Sequence, residues 1–407
     1  MAICATPILL VCVIVAVSEA RLSGAQETRP DALPQSHASQ RPAVPPTRVT
    51  TLRVPNGGIQ PQAMVDRNGT VHLIYFLGAP PAGDIFYVRS ADGKTFSTPL
   101  RVNSSPGSAI AIGNIRGAHL ALGRSGRVHV AWMGSDKAKP RAPGGAAPML
   151  YTRLDDAGTR FEPERNIIQK AVGLDGGASL AADDAGRVYV TWHAPEPGSQ
   201  GEQHRCVWVA RSSDDGKTFA GEERANPEPT GACGCCGMRA FVDKEQTLYV
   251  MYRSATEVVH RDMYLILSKN QAKSFSEEKL DSWNIGACPM STMAFAEGDR
   301  GVLAAWETSG QVYFSSAGLD SSPKSRAIGA PGNVTGRKHP ALAVNALGET
   351  ILVWTEGMGW NRGGSVAWQV FDKSGRPTRA RGRADGVPVW SLVAVFAQPS
   401  GDFTILY

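Results

Sequence analysis

The stretch DDAGRVYVTW (183–192) decides the fold, because the chain repeats it. Six further segments share its outline: DRNGTVHLIY (66–75), GRSGRVHVAW (123–132), DKEQTLYVMY (243–252), EGDRGVLAAW (297–306), NALGETILVW (345–354) and QPSGDFTILY (398–407). Each ends on an aromatic: Tyr75, Trp132, Trp192, Tyr252, Trp306, Trp354 or Tyr407. Six residues before it stands a glycine in five copies: Gly69, Gly126, Gly186, Gly348 and Gly401. Gln246 takes that place in the fourth copy, and the fifth shifts it to Gly301. A polar, glycine-bearing tetrapeptide makes a tight turn, and the alternating β-branched run after it makes a strand. Short apolar runs precede the turns (QAMV, HLAL, SLAA, RAFV, TMAF, ALAV, LVAV), so each copy is a hairpin.

A third strand follows six of the hairpins: IFYVRS (85–90), MLYTRL (149–154), VWVARS (207–212), MYLILS (263–268), VYFSSA (312–317) and VAWQVF (366–371). A more polar fourth strand leads on to the next copy. Four antiparallel strands repeated about every 50 residues predict a single all-β propeller. Leucine-rich and β-helix repeats are shorter, and helical repeats have a 3.6-residue period. The chain stops two strands into its seventh copy, while RVTTLRVP (48–55) stands unassigned ahead of the first. It is expected as an outer fourth strand completing the last blade beside the C-terminal hairpin. Seven blades follow, or six if the last hairpin packs outside the ring.

SSDDGKTF (212–219) closes the third strand of the third copy. It resembles the Asp-box, or bacterial neuraminidase repeat, S-x-D-x-G-x-T-F/W, with Ser212, Asp214, Gly216, Thr218 and Phe219 in register. LDDAGTRF (154–161) and SKNQAKSF (268–275) keep that register with substitutions, and SADGKTF (90–96) is one residue shorter. The chain is thereby similar to the sialidase-like propeller superfamily over nearly all of its repeat region. The resemblance implies a structural box, whose Asp caps backbone N–H groups and whose aromatic packs between strands. It spans glycosidases, receptors and assembly factors, so fold does not settle activity. Sialidases themselves carry an Arg triad, a Tyr–Glu nucleophile pair, an Asp acid/base and an early R-I-P. No R-I-P occurs here; the nearest place reads GGIQPQAM (57–64), with Gln60 and Gln62.

The chain has 407 residues, 42% hydrophobic and 19% charged, with a formal net charge of +5. That content builds a core, and the absence of any Lys/Arg run argues against nucleic acid as a partner. MAICATPILLVCVIVAVSEARLSGAQ holds an apolar run followed by small residues, so residues 1–25 are expected to be a signal peptide. Residues 26–47, rich in Pro, Gln and Ser, are expected as a flexible linker, and 48–407 as the propeller. No second apolar stretch is long enough to span a bilayer. A secreted or periplasmic monomer is the expectation.

In an up-and-down blade the Gly turns and the Asp-boxes share one face. The irregular loops, including 133–148, 193–205 and 355–365, lie on the other, where function concentrates. Counting back from the aromatic column places His119, Arg239 and His339 where inner strands begin, beside the axis. Arg116, Asp175, Lys338 and Trp390 stand just above them. These seven residues are the expected ligand-binding rim.

Cysteines occur at 4, 12, 206, 233, 235, 236 and 288. The first two leave with the leader. Cys206, Cys233, Cys235, Cys236 and Cys288 all map to the irregular face, and GACPMSTMAF (286–295) echoes TGACGCCGMRAF (230–241). Export favours two disulfides, from Cys206 and Cys288 to two of the triplet, with one thiol left over. The alternative is a copper or zinc site, with His119, His193, His204, His260 or His339 adding imidazole. A third is a reactive thiol whose pKa Arg239, Arg253 or Arg261 lowers.

Three functions compete. The first is ligand binding (glycan, soft metal or partner protein) at the cysteine-rich rim. The second is sialidase-like exo-glycoside hydrolysis, with carboxylates drawn from Asp175, Glu257, Asp262, Glu307 and Glu356 and Tyr252 as nucleophile. The third is a non-catalytic protein-interaction scaffold.

Overall fold

The structure is a computed structural model that describes residues 47–317 and 327–407. The expected leader, and the expected linker up to residue 46, lie outside the described residues. Seven sheets surround one axis. Six are four-stranded antiparallel blades, spanning 59–101, 119–166, 178–224, 239–281, 294–329 and 337–387. The seventh joins Ala394–Ala397 and Phe403–Leu406 to the N-terminal strand Val49–Leu52. Each inner strand packs on the inner strands of both neighbouring blades, and the seventh returns to the first. Among the described residues no helix is long and apolar enough to cross a membrane.

The closing strand corrects one expectation. Val49–Leu52 lies third in its blade, not fourth, and pairs in parallel with Phe403–Leu406, from Val49 opposite Phe403 to Leu52 opposite Leu406. The reason is direction. To deliver the chain to the inner strand of blade 1, this segment must run towards the irregular face, as an outer strand does. The second strand of a blade runs the same way. The seventh blade has no third strand between them, so the two meet in parallel.

The repeat explains the core. All seven column aromatics are buried, and the apolar clusters straddle neighbouring blades. Leu73, Tyr75 and Val88 of blade 1 pack with Ala394, Phe396 and Leu406 of blade 7, so the seam is filled like the other interfaces. Each buried aromatic or aliphatic side chain contributes about 1.5–3 kcal/mol. The turns need positive φ, which Gly69 (+81°) and Gly186 (+82°) adopt freely. Gln246 adopts it too, at +67°, where the fourth copy lacks the glycine.

The 212–219 turn is a hydrogen-bonded knot. Ser212 Oγ accepts from Gly216 N at 2.9 Å, and Asp214 accepts from Thr218 N at 2.9 Å and from Thr218 Oγ1 at 2.6 Å. Phe219 meets the Tyr151 ring of blade 2 edge-on at 4.8 Å. A β-carbon at position 216 would collide with the Tyr151 hydroxyl, so glycine is required. Beside it, Asp215 binds Arg127 Nε at 2.5 Å and Arg153 Nη1 at 3.5 Å, with His129 at 3.6 Å. Burial pushes the Asp215 carboxyl up, but His129 and Arg127 outweigh it and hold it below the usual range.

The Asp215→Ala variant strands buried guanidinium charge and is expected to lose about 3–5 kcal/mol in denaturant unfolding. Because the folded pKa is depressed, the Asp215 contribution is complete above about pH 4 and fades as pH falls through the lower folded value. Stability difference curves between wild type and variant, measured against pH, should therefore converge on the acid side.

Candidate functional site

The loop between the outer strand Glu223–Arg224 of blade 3 and the inner strand Arg239–Val242 of blade 4 holds the cysteine triplet. Its backbone is tied to three blades. Ala232 N donates to Glu202 O at 3.1 Å and Gly234 N to the Glu202 carboxylate at 2.8 Å. Cys233 N donates to Arg253 O at 2.9 Å, and Gly237 N to Ser291 O at 2.8 Å. Gly231, at φ +65°, passes so close to the Gln203 backbone that a side chain there would clash.

This stitching converges the sulfurs. Cys233 Sγ lies 3.3 Å from Cys235 Sγ and 3.4 Å from Cys236 Sγ, and all three fall within 4.8 Å of one another. Cys233 and Cys236 are buried, and Cys235 is half-buried. All five cysteines among the described residues are free thiols. The expected staple is therefore not formed: Cys206 Sγ faces Glu196 Oε1 at 3.5 Å, and Cys288 is exposed.

Two arginines supply positive charge. Arg253, 1% exposed, donates to Arg261 O at 2.5 Å and Ser291 Oγ at 3.2 Å, and stacks on Trp283 at 4.9 Å. Arg261 pairs with Glu202 at 2.8 Å, while its Nε and Nη1 have no partner. Burial alone would raise the Cys236 thiol. Hydrogen bonds from Cys233 and Cys235, together with the Arg253 charge, outweigh it and bring Cys236 well below its usual value. Cys233 is pushed up: accepting from Cys235 lowers it, but donating to Cys236 and burial raise it more. Cys235 is pushed up by hydrogen bonding to both neighbours and by burial. The two neighbouring thiols and Arg253 thus favour the thiolate at Cys236 over Cys233 and Cys235. Arg261 also faces Cys233 and Cys235 electrostatically, whereas Arg239 turns into the axial channel.

The remaining rim residues divide. Arg116 binds Asp175 at 3.0 Å and the Ile112 carbonyl at 3.0 Å. His119 and His339 line the channel with Arg239, in a cavity of about 330 Å³. His119 faces Arg239 Nη1 at 3.2 Å and Ser179 Oγ at 3.2 Å, and His339 faces Thr292 Oγ1 at 3.3 Å. Burial lowers both imidazoles to about 3, with Arg239 adding to the effect at His119 and Lys338 at His339. Lys338 Nζ donates to Pro289 O. Trp390 meets the half-exposed Trp360 edge-on at 6.1 Å. No imidazole joins the sulfur cluster among the described residues. His193 is nearest in kind: its Nε2 has no partner and shares a gap beside Gly177 with the Cys236 carbonyl.

The glycosidase candidates are dispersed. Glu257 is exposed and pairs with His260 at 3.5 Å. Asp262 binds Lys279 at 3.3 Å and Trp283 N at 2.9 Å. Glu356 binds Arg337 and the Trp354 indole. The Tyr252 hydroxyl is buried between Thr230 and Glu277, with its pKa far above the usual value through burial and then Glu277. Glu307 is 1% exposed, with Oε2 unpartnered, and burial lifts it to about 7 against the pull of Lys338 and Arg253. Sequence reasoning passed over Glu202 and Thr292. Nothing in their local sequence marks them, since the repeat registers strands and not which loops meet.

No protein-family model and no curated protein matches the chain. Solved structures similar to it include a protein of unknown function from Dyadobacter fermentans, 16% identical over 76% of this chain and 94% of that one, with a TM-score of 0.52. The Penicillium chrysogenum α-L-arabinanase complexed with arabinobiose is 16% identical over 81% and 98%, at 0.51. The Fusarium graminearum α-L-arabinofuranosidase in complex with an iminosugar inhibitor is 13% identical over 81% and 98%, at 0.51. The likeness is one of fold.

The reduced, metal-free protein is expected to show the ultraviolet absorption of a single thiolate at neutral pH, because Cys236 is depressed. Cys236→Ser should abolish it. Cys288→Ser and Cys206→Ser should not, since burial and Glu196 lift the Cys206 thiol to about 11 against Arg224.

Proposed function

We propose that this is an exported propeller that binds a soft metal ion, Cu(I) before Zn(II), through Cys233, Cys235 and Cys236 at its axial rim. The convergence of three sulfurs on one rigid turn carries the reading. Contacts of 3.3 and 3.4 Å are too long for the roughly 2.05 Å disulfide bond. Metal–sulfur bonds of about 2.3 Å set sulfur separations slightly wider than these contacts, within reach of small side-chain shifts. Thiolates select soft ions. Three thiolates around Cu(I) leave two negative charges; the guanidinium of Arg253 faces them, as does that of Arg261, which is also paired with Glu202. Zn(II) would keep a fourth position open, for which His193 is the closest imidazole in kind.

A second reading, glycan binding, is favoured by one observation. Trp360, 47% exposed, stands against Trp390 on the same rim and offers an apolar plate to a sugar ring. The arabinan-acting fold neighbours support it at the level of fold.

Anaerobic titration is expected to give one Cu(I) per chain. Each of Cys233→Ser, Cys235→Ser and Cys236→Ser should lose it, while Cys206→Ser and Cys288→Ser keep it. Loading displaces the protons of Cys233 and Cys235, so apparent affinity should rise about 100-fold per pH unit near neutrality. Competition with a chromophoric Cu(I) chelator at stepped pH measures both. A disulfide within the triplet of the exported protein would defeat the proposal.

A further inference from the structure

The axial channel holds a guanidinium without a counter-ion. Arg239 opens the inner strand of blade 4, where it is half-buried and lines the cavity. Its polar contacts are neutral: Gln62 Oε1 at 2.6 Å and His119 Nδ1 at 3.2 Å. Among the described residues no carboxylate pairs with it. Other arginine charges on this rim are paired or spent on neutral acceptors: Arg116 on Asp175, Arg261 on Glu202, and Arg253 on two carbonyls and the Ser291 hydroxyl. Charge removed from water without a partner is costly, and that cost disappears when an anion binds.

The chamber beside Arg239 has the opposite character. Met64, Phe241, Met293, Phe295, Val344 and Phe396 contribute to its wall. Its volume of about 330 Å³ lies at the small end of ligand sites. A charged head at one end and an apolar floor define an amphipathic occupant.

We infer that the channel binds a small monocarboxylate with an unbranched apolar tail, its carboxylate on Arg239 with Gln62 and His119 alongside and its tail on the phenylalanine-lined floor. His119 is neutral, so one ring nitrogen is free to donate and only Arg239 carries the charge. None of Cys233, Cys235 and Cys236 lines the chamber, so this inference does not rest on the metal reading.

Calorimetric titration of the full chain with butanoate, hexanoate and octanoate tests this, with 1-hexanol and sodium chloride as controls. Affinity is expected to rise about fourfold per added methylene until the chamber is full. Hexanol and chloride should bind at least tenfold more weakly than hexanoate. Arg239→Met should lose hexanoate binding at least tenfold, yet melt no lower than ligand-free wild type, because it removes a half-buried charge that has no counter-ion. Cys233→Ser should bind hexanoate as wild type does, which separates this outcome from failure of the metal reading. No carboxylate binding, affinity independent of chain length, or binding retained in Arg239→Met would each overturn the inference.

Discussion

The molecule rests on one parallel strand pair. Val49–Leu52 and Phe403–Leu406 come from opposite ends of the described chain, and their ladder turns an open stack of blades into a ring. The backbone bonds continue past it at both ends, from Phe403 N to Arg48 O and from Val54 N to Tyr407 O. Closure fixes the distance of every inner strand from the axis. Residues more than a hundred positions apart then meet across the channel: Arg239 reaches Gln62, and Gln60 bonds the Trp390 carbonyl. A ring left open would expose the apolar faces that meet at the seam, Leu73, Tyr75 and Val88 on one side and Ala394, Phe396 and Leu406 on the other. It would also undo the register of the rim, where carbonyls and guanidiniums from different blades must meet within bonding distance.

The fold was legible because it is periodic. A turn glycine, an alternating strand and a terminal aromatic recur, and each reports a local requirement: positive φ, a half-buried pleat, a filled gap between blades. Even the exception is informative, since Gln246 occupies the left-handed conformation that its copy lacks a glycine to provide. The place of the closing strand was less legible. Sequence gives its strand character but not which edge it meets, and the missing third strand made that edge a parallel one.

The site was legible in position and illegible in partnership. Counting back from the column placed His119, Arg239 and His339 beside the axis, and all three line the channel. It placed five cysteines on one face but could not say which of them touch. Contact depends on loop paths across blades, and those paths are set by Glu202, Arg253 and Ser291, which hold the triplet from three directions. Cys288, equivalent to Cys233 by repeat, lacks such anchors and is exposed. Repeat equivalence predicts backbone placement, whereas side-chain environment follows from the neighbours of each copy.

Charge accounting ties the rim together. Arg253 is fully committed: it bonds the carbonyls of Arg261 and Glu307 and the Ser291 hydroxyl while its field favours the Cys236 thiolate. Glu307 sits in the same field, buried, with one oxygen unpartnered, and is lifted to about 7 by burial, with Cys236 adding to the lift. Negative charge added at the sulfurs therefore favours the protonated form of Glu307, and charge removed there favours its carboxylate. Both sites feel the positive field of Arg253. Cu(I) on three thiolates would leave two negative charges beside it, which would further favour the protonated form of Glu307. Arg239 stands apart from this account. It faces neutral partners and leaves the channel with a positive charge of its own.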